Sequence, residues 1–255
     1  TRLDENTAAE FQQLSCSVNH MLDRLALSFD LQRQFAGNAA HELRTPLAMM
    51  QTKLELFAEE HSDVDAETAK LVQFQIDQVD RLTSLVRTLL EMSNLQSVSR
   101  SDEIELAPLI DEILTDLTTL AEQKNITLHQ KCEDVHMIGS DTLIYRLLFN
   151  LIENAIKYNH SGGSVTVSMQ QENQQVLLHI ADTGCGLPEE YRESIFQPFF
   201  RVDKSRSRQM GGVGLGLALV RDIAVLHGGR VCVESGSKDG TTFAVKLPLN
   251  GEKTE

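Results

Sequence analysis

Proline and glycine are almost missing from the first 98 residues of this 255-residue chain, which hold only Gly37 and Pro46. That scarcity excludes a turn-rich fold there and leaves long helices. Paired cysteines are missing too: Cys16, Cys132, Cys185 and Cys232 lie far apart. A zinc site or a disulfide framework is therefore not expected, and reduced thiols are the default. No apolar run reaches the length of a bilayer span, and no signal peptide opens the chain; beginning at Thr1, the sequence reads as a soluble piece of something longer. Basic residues are few, 23 against 37 acidic, for a net charge of -14. No nucleic acid is expected as a partner, because a phosphate backbone requires a basic face. A small polyanion stays open wherever positive charge is local. There is also no Gly-x-x-x-x-Gly-Lys-Ser/Thr run, hence no P-loop.

What the first part does have is helical periodicity. Leu43, Leu47, Met50, Leu54 and Phe57 alternate steps of four and three, as do Leu82, Leu85, Leu89 and Met92 nearly so. These heptad-like seams predict two helices joined at the polar break Glu60–Asp65, with Asp65 or Ser62 as a cap. Two helices alone make a poor core, so the seam predicts a second copy and a four-helix bundle. Pro46 is expected to bend the first helix just after His41. His41 falls off the apolar stripe, toward solvent, with Glu42, Arg44 and Thr45 within one turn. His20 and His61 lack such neighbours and read as plain surface residues.

Beyond about residue 102 the pattern becomes mixed. Pro108 to Gln123 and Asp141 to Tyr158 read as amphipathic helices, and a third runs from about Leu215 to Leu226, stopped at His227-Gly228-Gly229. Alternation marks strands around Val165–Met169 and Val176–Ile180, turned at Glu172-Asn173-Gln174, and again around Arg230–Ser235 and Thr241–Leu247. The sum is an α/β sandwich with a largely antiparallel sheet.

Asn150, Asn154, Lys157 and Tyr158 fall on one helical face, opposite Leu147, Leu148, Leu151, Ile152 and Ala155. That polar face offers amide oxygens for a metal, a cation for phosphate and a ring for stacking. Asp182 ends a strand just before Gly184 and Gly186 and can accept a bond from an exocyclic amine. Gly211-Gly212-Val213-Gly214-Leu215-Gly216 opens a helix, where free N–H groups favour phosphate. Without a parallel βαβ unit around it, this is no dinucleotide fingerprint. Arg201 to Met210 carries four cations (Arg201, Lys204, Arg206, Arg208) against one acid, which suits a lid over phosphate. A cation about 4 Å from a phosphate charge gains roughly 1 kcal/mol in water and about 4 at an effective dielectric near 20.

In this order, the run His41-Glu-Leu-Arg-Thr-Pro46, the asparagine box Asn150–Tyr158 and the two glycine boxes resemble the cytoplasmic core of the sensor histidine kinases of two-component signalling. The resemblance implies a helical-hairpin (HisKA) domain at 31–98, dimerising as a four-helix bundle. It implies an α/β sandwich ATP-binding domain of Bergerat/GHKL type at 102–250, and a tail at 251–255. His41 would be the phospho-acceptor, Glu42 its general base, and Thr45 the residue that positions water in dephosphorylation of the partner. Asn154 would ligate Mg2+ with Asn150 supporting, Lys157 would meet the phosphates of ATP, Tyr158 would lie by the base and Asp182 would read adenine. Arg201 would neutralise the transferring phosphoryl, while Gly184, Gly186, Gly212, Gly214, Leu215 and Gly216 shape the nucleotide site. Residues 1–30, with Asp4-Glu5, Phe11, Leu14, Asn19, Met21 and Leu22, resemble the second helix of a HAMP relay, or else a plain coiled-coil linker. The expected partners are a second copy and the receiver domain of a response regulator; a membrane anchor would lie N-terminal to this cytoplasmic portion. Related ATP-hydrolysing machines carry glutamate where Asn150 stands, which favours transfer to histidine over hydrolysis. The two competing readings are a chaperone-type ATPase and a non-catalytic dimeric scaffold.

Overall fold

The computed structural model describes residues 9–61, 64–202, 213–237 and 240–250. The chain divides into two compact units, Thr1–Asn94 and Leu95–Glu255.

The first unit is a hairpin of α1 (Ala9–Glu60) and α2 (Ala66–Asn94). α1 continues through Pro46, whose ring nitrogen has no hydrogen to give the Glu42 carbonyl one turn earlier. Ala40 and Leu47, with Leu54 partly buried, meet Val79, Val86 and Leu90 of α2. The apolar seam drawn from the sequence therefore divides. Leu47 and Leu54 turn inward, while Leu43 (50% exposed), Met50 (54%) and Phe57 stay on the outside of the hairpin. In α2 the buried stripe is Val79, Val86 and Leu90, and Leu82 is 48% exposed. Each helix carries apolar residues over a wide arc, so counting steps of three and four catches two adjoining faces at once.

Asp65 is the cap of α2. Its Oδ1 accepts from the Glu67 and Thr68 amides, each at 2.9 Å, and its Oδ2 from the Thr68 hydroxyl at 2.6 Å. Ser62 lies outside the described residues.

The second unit layers helices on one face of a five-stranded sheet. β1 (Asp102–Glu105) pairs antiparallel with β3 (His136–Gly139) as a small separate ribbon. The main sheet runs β2 (Thr127–Cys132), β4 (Ser164–Glu172), β5 (Gln175–Asp182), β7 (Gly240–Pro248) and β6 (Arg230–Ser237), and only the β2–β4 pair is parallel. The helices are α3 (Leu106–Asp116), α4 (Thr118–Gln123), α5 (Asp141–Lys157) and α6 (Gly216–Leu226). The helix expected over 108–123 is broken at Leu117 (φ -91°, ψ -1°), which ends α3 and caps α4. The short strands β1, β2 and β3 escaped the sequence reading, because their burial is irregular or they are only four residues long.

Asn173 and Gln174, at φ 45° and 64°, make the tight turn that registers β4 on β5. Val165, Val167, Val176, Leu178 and Ile180 then all point to the helices and are fully buried. α5 is the central helix: Leu147, Leu148, Leu151, Ile152 and Ile156 have no exposed surface.

Two predictions follow from this packing. Leu151→Ala is expected to lower the stability of the second unit by about 2–5 kcal/mol, measured by chemical denaturation. Asp65→Ala is expected to lower the melting temperature of the hairpin near neutral pH. Its hydrogen bonds hold the Asp65 carboxyl below the ordinary value of 3.8, so its contribution is present above that value and fades as pH falls through the lowered titration. Melting curves of wild type and variant should therefore converge in strong acid.

Candidate functional site

His41 lies on α1 as an exposed residue, with Glu42, Arg44 and Thr45 exposed beside it. Ala40 immediately before it is buried in the hairpin seam, which fixes the rotation of α1 and turns the imidazole outward.

In the second unit the apolar face of α5 is pressed on the sheet, so Asn150, Asn154 and Lys157 emerge together on the other side, each half-buried. Asn150 donates its Nδ2 to the Arg146 carbonyl at 2.7 Å. Its Oδ1 faces Gly216 so closely that a Cβ there would sit 2.7 Å away. The asparagine face thus meets the start of α6, and only glycine permits that approach. None of the described residues is hydrogen-bonded to the Asn154 side-chain amide. The Lys157 Nζ pairs with Glu153 at 2.9 Å. An i,i+4 pair of this kind is worth only about 0.3–0.5 kcal/mol and yields readily to a polyanion.

The Asp182 carboxylate is partly buried at the end of β5. Its Oδ1 accepts from the Gly184 amide at 2.8 Å and the Thr241 amide at 3.3 Å. Burial pushes its pKa up, and the two amides and the nearby His160 pull it back. No described residue bonds to Oδ2. Gly184 is also closely fitted by the fold: a Cβ there would lie 2.5 Å from the Tyr158 carbonyl. It admits the end of α5, and the Cys185 amide donates to that same carbonyl at 3.2 Å. Tyr158, just past α5, is exposed. Gly186 and Gly214 take φ of 69° and 80°.

Arg201 is half-buried, and its Nη2 is buried with no hydrogen-bond partner among the described residues. The Phe199 amide donates to the Gly214 carbonyl at 2.8 Å, closing the base of the intervening segment. Lys204, Arg206, Arg208, Gly211 and Gly212 of the expected lid lie outside the described residues. Leu215 is buried where α6 begins.

Sequence reasoning missed the residues that lock this arrangement. Asn159 Nδ2 donates to the Ser164 carbonyl at 2.9 Å, and the Ser164 amide donates to Thr183 Oγ1 at 2.9 Å. The Thr183 hydroxyl donates to Asn159 Oδ1 at 3.3 Å. Together they tie the end of α5 to β4 and β5. The signal was there: polar residues follow directly on both Tyr158 and Asp182. Lys124 Nζ donates to the Lys157 carbonyl at 2.5 Å, taking up an orphan group at the α5 C-terminus.

The residues present suit a nucleotide triphosphate. Among the described residues, the Asn154 amide, Asp182 Oδ2 and Arg201 Nη2 have no hydrogen-bond partner, and Asn150 meets the glycine that starts α6. No group of three or more His, Cys, Asp or Glu residues capable of holding a metal occurs among the described residues. A groove of about 540 Å³ lined by Lys131, Ser168 and His179 lies on the sheet face away from α5 and contains none of these groups.

Comparison with known proteins agrees with this geometry. The "Histidine kinase-, DNA gyrase B-, and HSP90-like ATPase" family matches residues 139–251, and the "His Kinase A (phospho-acceptor) domain" matches residues 31–98. This chain belongs to the sensor histidine kinases. Sensor histidine kinase RppB of Synechocystis is 35% identical over 228 residues, 87% of this chain and 50% of that protein. The chain spans about half the length of the curated relatives it matches. Full-length ShkA in complex with AMPPNP shares the fold at 23% identity (TM-score 0.70, 86% of this chain and 46% of that one). Histidine kinase ThkA in complex with response regulator TrrA does so at 24% (TM-score 0.61, 98% and 69%).

Gly216→Ala is expected to force Asn150 or the start of α6 aside and to weaken ADP binding about tenfold or more, with melting temperature changed far less. Calorimetric titration beside a thermal melt checks both.

Proposed function

We propose that the chain is an ATP-dependent autokinase that phosphorylates His41 and passes the phosphoryl group to an aspartate of a response regulator. The observation that carries this reading is an exposed His41 in an unbroken histidine box on the same chain as an ATP-binding domain in which no described residue bonds to the Asn154 amide or to Asp182 Oδ2.

An imidazole nitrogen attacks the γ-phosphorus; the new P–N bond forms as the bond to the bridging oxygen breaks, and ADP leaves with that electron pair. Glu42 accepts the proton displaced from the ring, and Arg201 spreads the charge gathering on the phosphoryl oxygens. Asn154, with Asn150 supporting, would hold a Mg2+ ion that neutralises the phosphates. Asp182 Oδ2 accepts from the adenine amine, Tyr158 lies by the base, and Lys157 exchanges Glu153 for a phosphate oxygen.

Several further readings belong with this one. The outward Leu43, Met50 and Phe57 of α1, with Leu71, Phe74 and Leu82 of α2, suit burial against a second copy in a four-helix bundle. Thr45 orients water when the same protein dephosphorylates its regulator. Residues 1–30 act as a HAMP-like segment that joins this core to a membrane-bound sensor, leaving the core on the cytoplasmic side. The ThkA–TrrA and ShkA–AMPPNP complexes support the regulator and nucleotide assignments.

Incubation with ATP labelled at the γ-position is expected to give an acid-labile, base-stable phosphoprotein, and His41→Gln is expected to abolish it. Label that survives this substitution overturns the proposal; free phosphate without phosphoprotein would favour an ATPase. Asp182→Asn, which turns an acceptor toward the adenine amine into a mixed donor and acceptor, is expected to cost about tenfold or more in ATP affinity and to narrow discrimination against GTP. Competition binding with the two nucleotides measures it.

A further inference from the structure

His227 is one of the few buried polar residues, 4% exposed, and no step described above uses it. It ends α6, and both ring nitrogens are committed. Nδ1 lies 2.9 Å from the Ile223 carbonyl, to which it can only donate, and Nε2 accepts the Ser140 amide at 3.1 Å. One tautomer satisfies both: neutral imidazole with its hydrogen on Nδ1. Ser140 is the N-cap of α5, yet its own side chain makes no cap bond. The α5 start is held from a distance instead, by His227 and by Asp102 Oδ2, which accepts the Asp141 amide at 3.2 Å. The imidazole is also packed tightly, since a Cβ on Gly139 would lie 3.0 Å from its Cδ2.

The second contact between these helices is the Gly216–Asn150 approach. Ser140 to Asn150 spans about 15 Å of helix and Gly216 to His227 about 16 Å, at 1.5 Å per residue. Two antiparallel helices are thus pinned at two points a helix-length apart, one inside the nucleotide site and one at His227. We propose that His227, in its neutral Nδ1–H form, is a positioning residue for the nucleotide site: by accepting the Ser140 amide it sets the spacing of α5 against α6, and with it the relation of Asn150 and Asn154 to the Gly216 turn. The proposal rests on the nucleotide-binding reading above.

Protonation removes the acceptor and turns Nε2 against the Ser140 N–H. Burial and the nearby positive charge of Arg100 resist it, holding the His227 pKa below the ordinary 6.5, partly offset by the Ile223 carbonyl. The other charged groups at this helix start are Asp102 and Asp141. With a depressed imidazole pKa, the folded form is favoured above about pH 6.5, and that advantage is lost as pH falls below it toward the lowered value.

The test is calorimetric titration with ADP and Mg2+ across about pH 5–8 on three proteins. Wild type is expected to lose affinity on acidification. His227→Gln, which keeps an acceptor for Ser140 but cannot gain charge, is expected to bind within about twofold of wild type near neutrality and to lose much of that acid dependence. His160, whose charge acts on Asp182, is present in all three proteins and cancels in the comparison. His227→Phe keeps bulk without an acceptor and is expected to bind about tenfold more weakly at all pH values. Nitrogen-15 NMR of wild type should show a protonated Nδ1 and an unprotonated, hydrogen-bonded Nε2. A folded Phe variant that binds like wild type overturns the proposal, as does a Gln variant with the wild-type pH profile, which decides alone if the Phe variant fails to fold. Wild type that binds no ADP at any pH overturns the nucleotide reading and this proposal together.

Discussion

The separation of α5 from α6 governs the second unit. Asn150 and Gly216 meet with no room for a methyl group between them, so the polar face of one helix and the N-terminus of the other form a single surface. Everything else in the unit serves that approach. The fully buried Leu147, Leu148, Leu151 and Ile152 seat α5 on the sheet, while Ala218, Leu219 and Ile223 seat α6 beside it. Because an interior packs like a crystal rather than an oil, a shift at one point is felt along the helix.

α5 is also held at both ends by partners remote in sequence. Its first amides go to His227 and Asp102, and its last carbonyls to Lys124. Helix ends must be satisfied somehow, and here the solution ties the helix to β1, α6 and the segment before β2. With the ends settled elsewhere, the exposed polar groups in the middle of the helix need no internal partner. No described residue hydrogen-bonds to the Asn154 side chain, a condition a ligand site requires and a merely structural polar residue does not.

Much of this was legible in the sequence because it is written in short-range patterns. The hairpin, the asparagine face of α5, the Asn173–Gln174 turn and the glycine stop after His227 all follow from residues within one or two turns of each other. The failures are equally consistent in kind. The α2 stripe was assigned to Leu82, Leu85, Leu89 and Met92 because periodicity cannot tell which of two adjoining apolar faces meets the neighbouring helix. The close fit of Gly184 against the Tyr158 carbonyl, 26 positions earlier in the chain, was not anticipated. The Lys157–Glu153 pair was not anticipated, although Glu153 lies one turn before Lys157. The Asn159–Thr183–Ser164 lock was missed since each residue alone is an ordinary loop polar. Contacts made across the fold leave little trace in local spacing.

Asn150 shows how an amide fits where related hydrolases place an acid. Its Nδ2 donates to the Arg146 carbonyl at 2.7 Å, turning Oδ1 toward Gly216. A carboxylate cannot make that donation; it would set a negative oxygen against a helical carbonyl and would have to rotate away. The local geometry is therefore built for a neutral side chain that orients without taking a proton. A site so arranged holds its nucleotide with no protein base at this position to activate water, and the phosphoryl group is left for a nucleophile brought from elsewhere. On the proposed reading, the exposed imidazole of His41, fixed outward by the buried alanine before it, supplies that nucleophile.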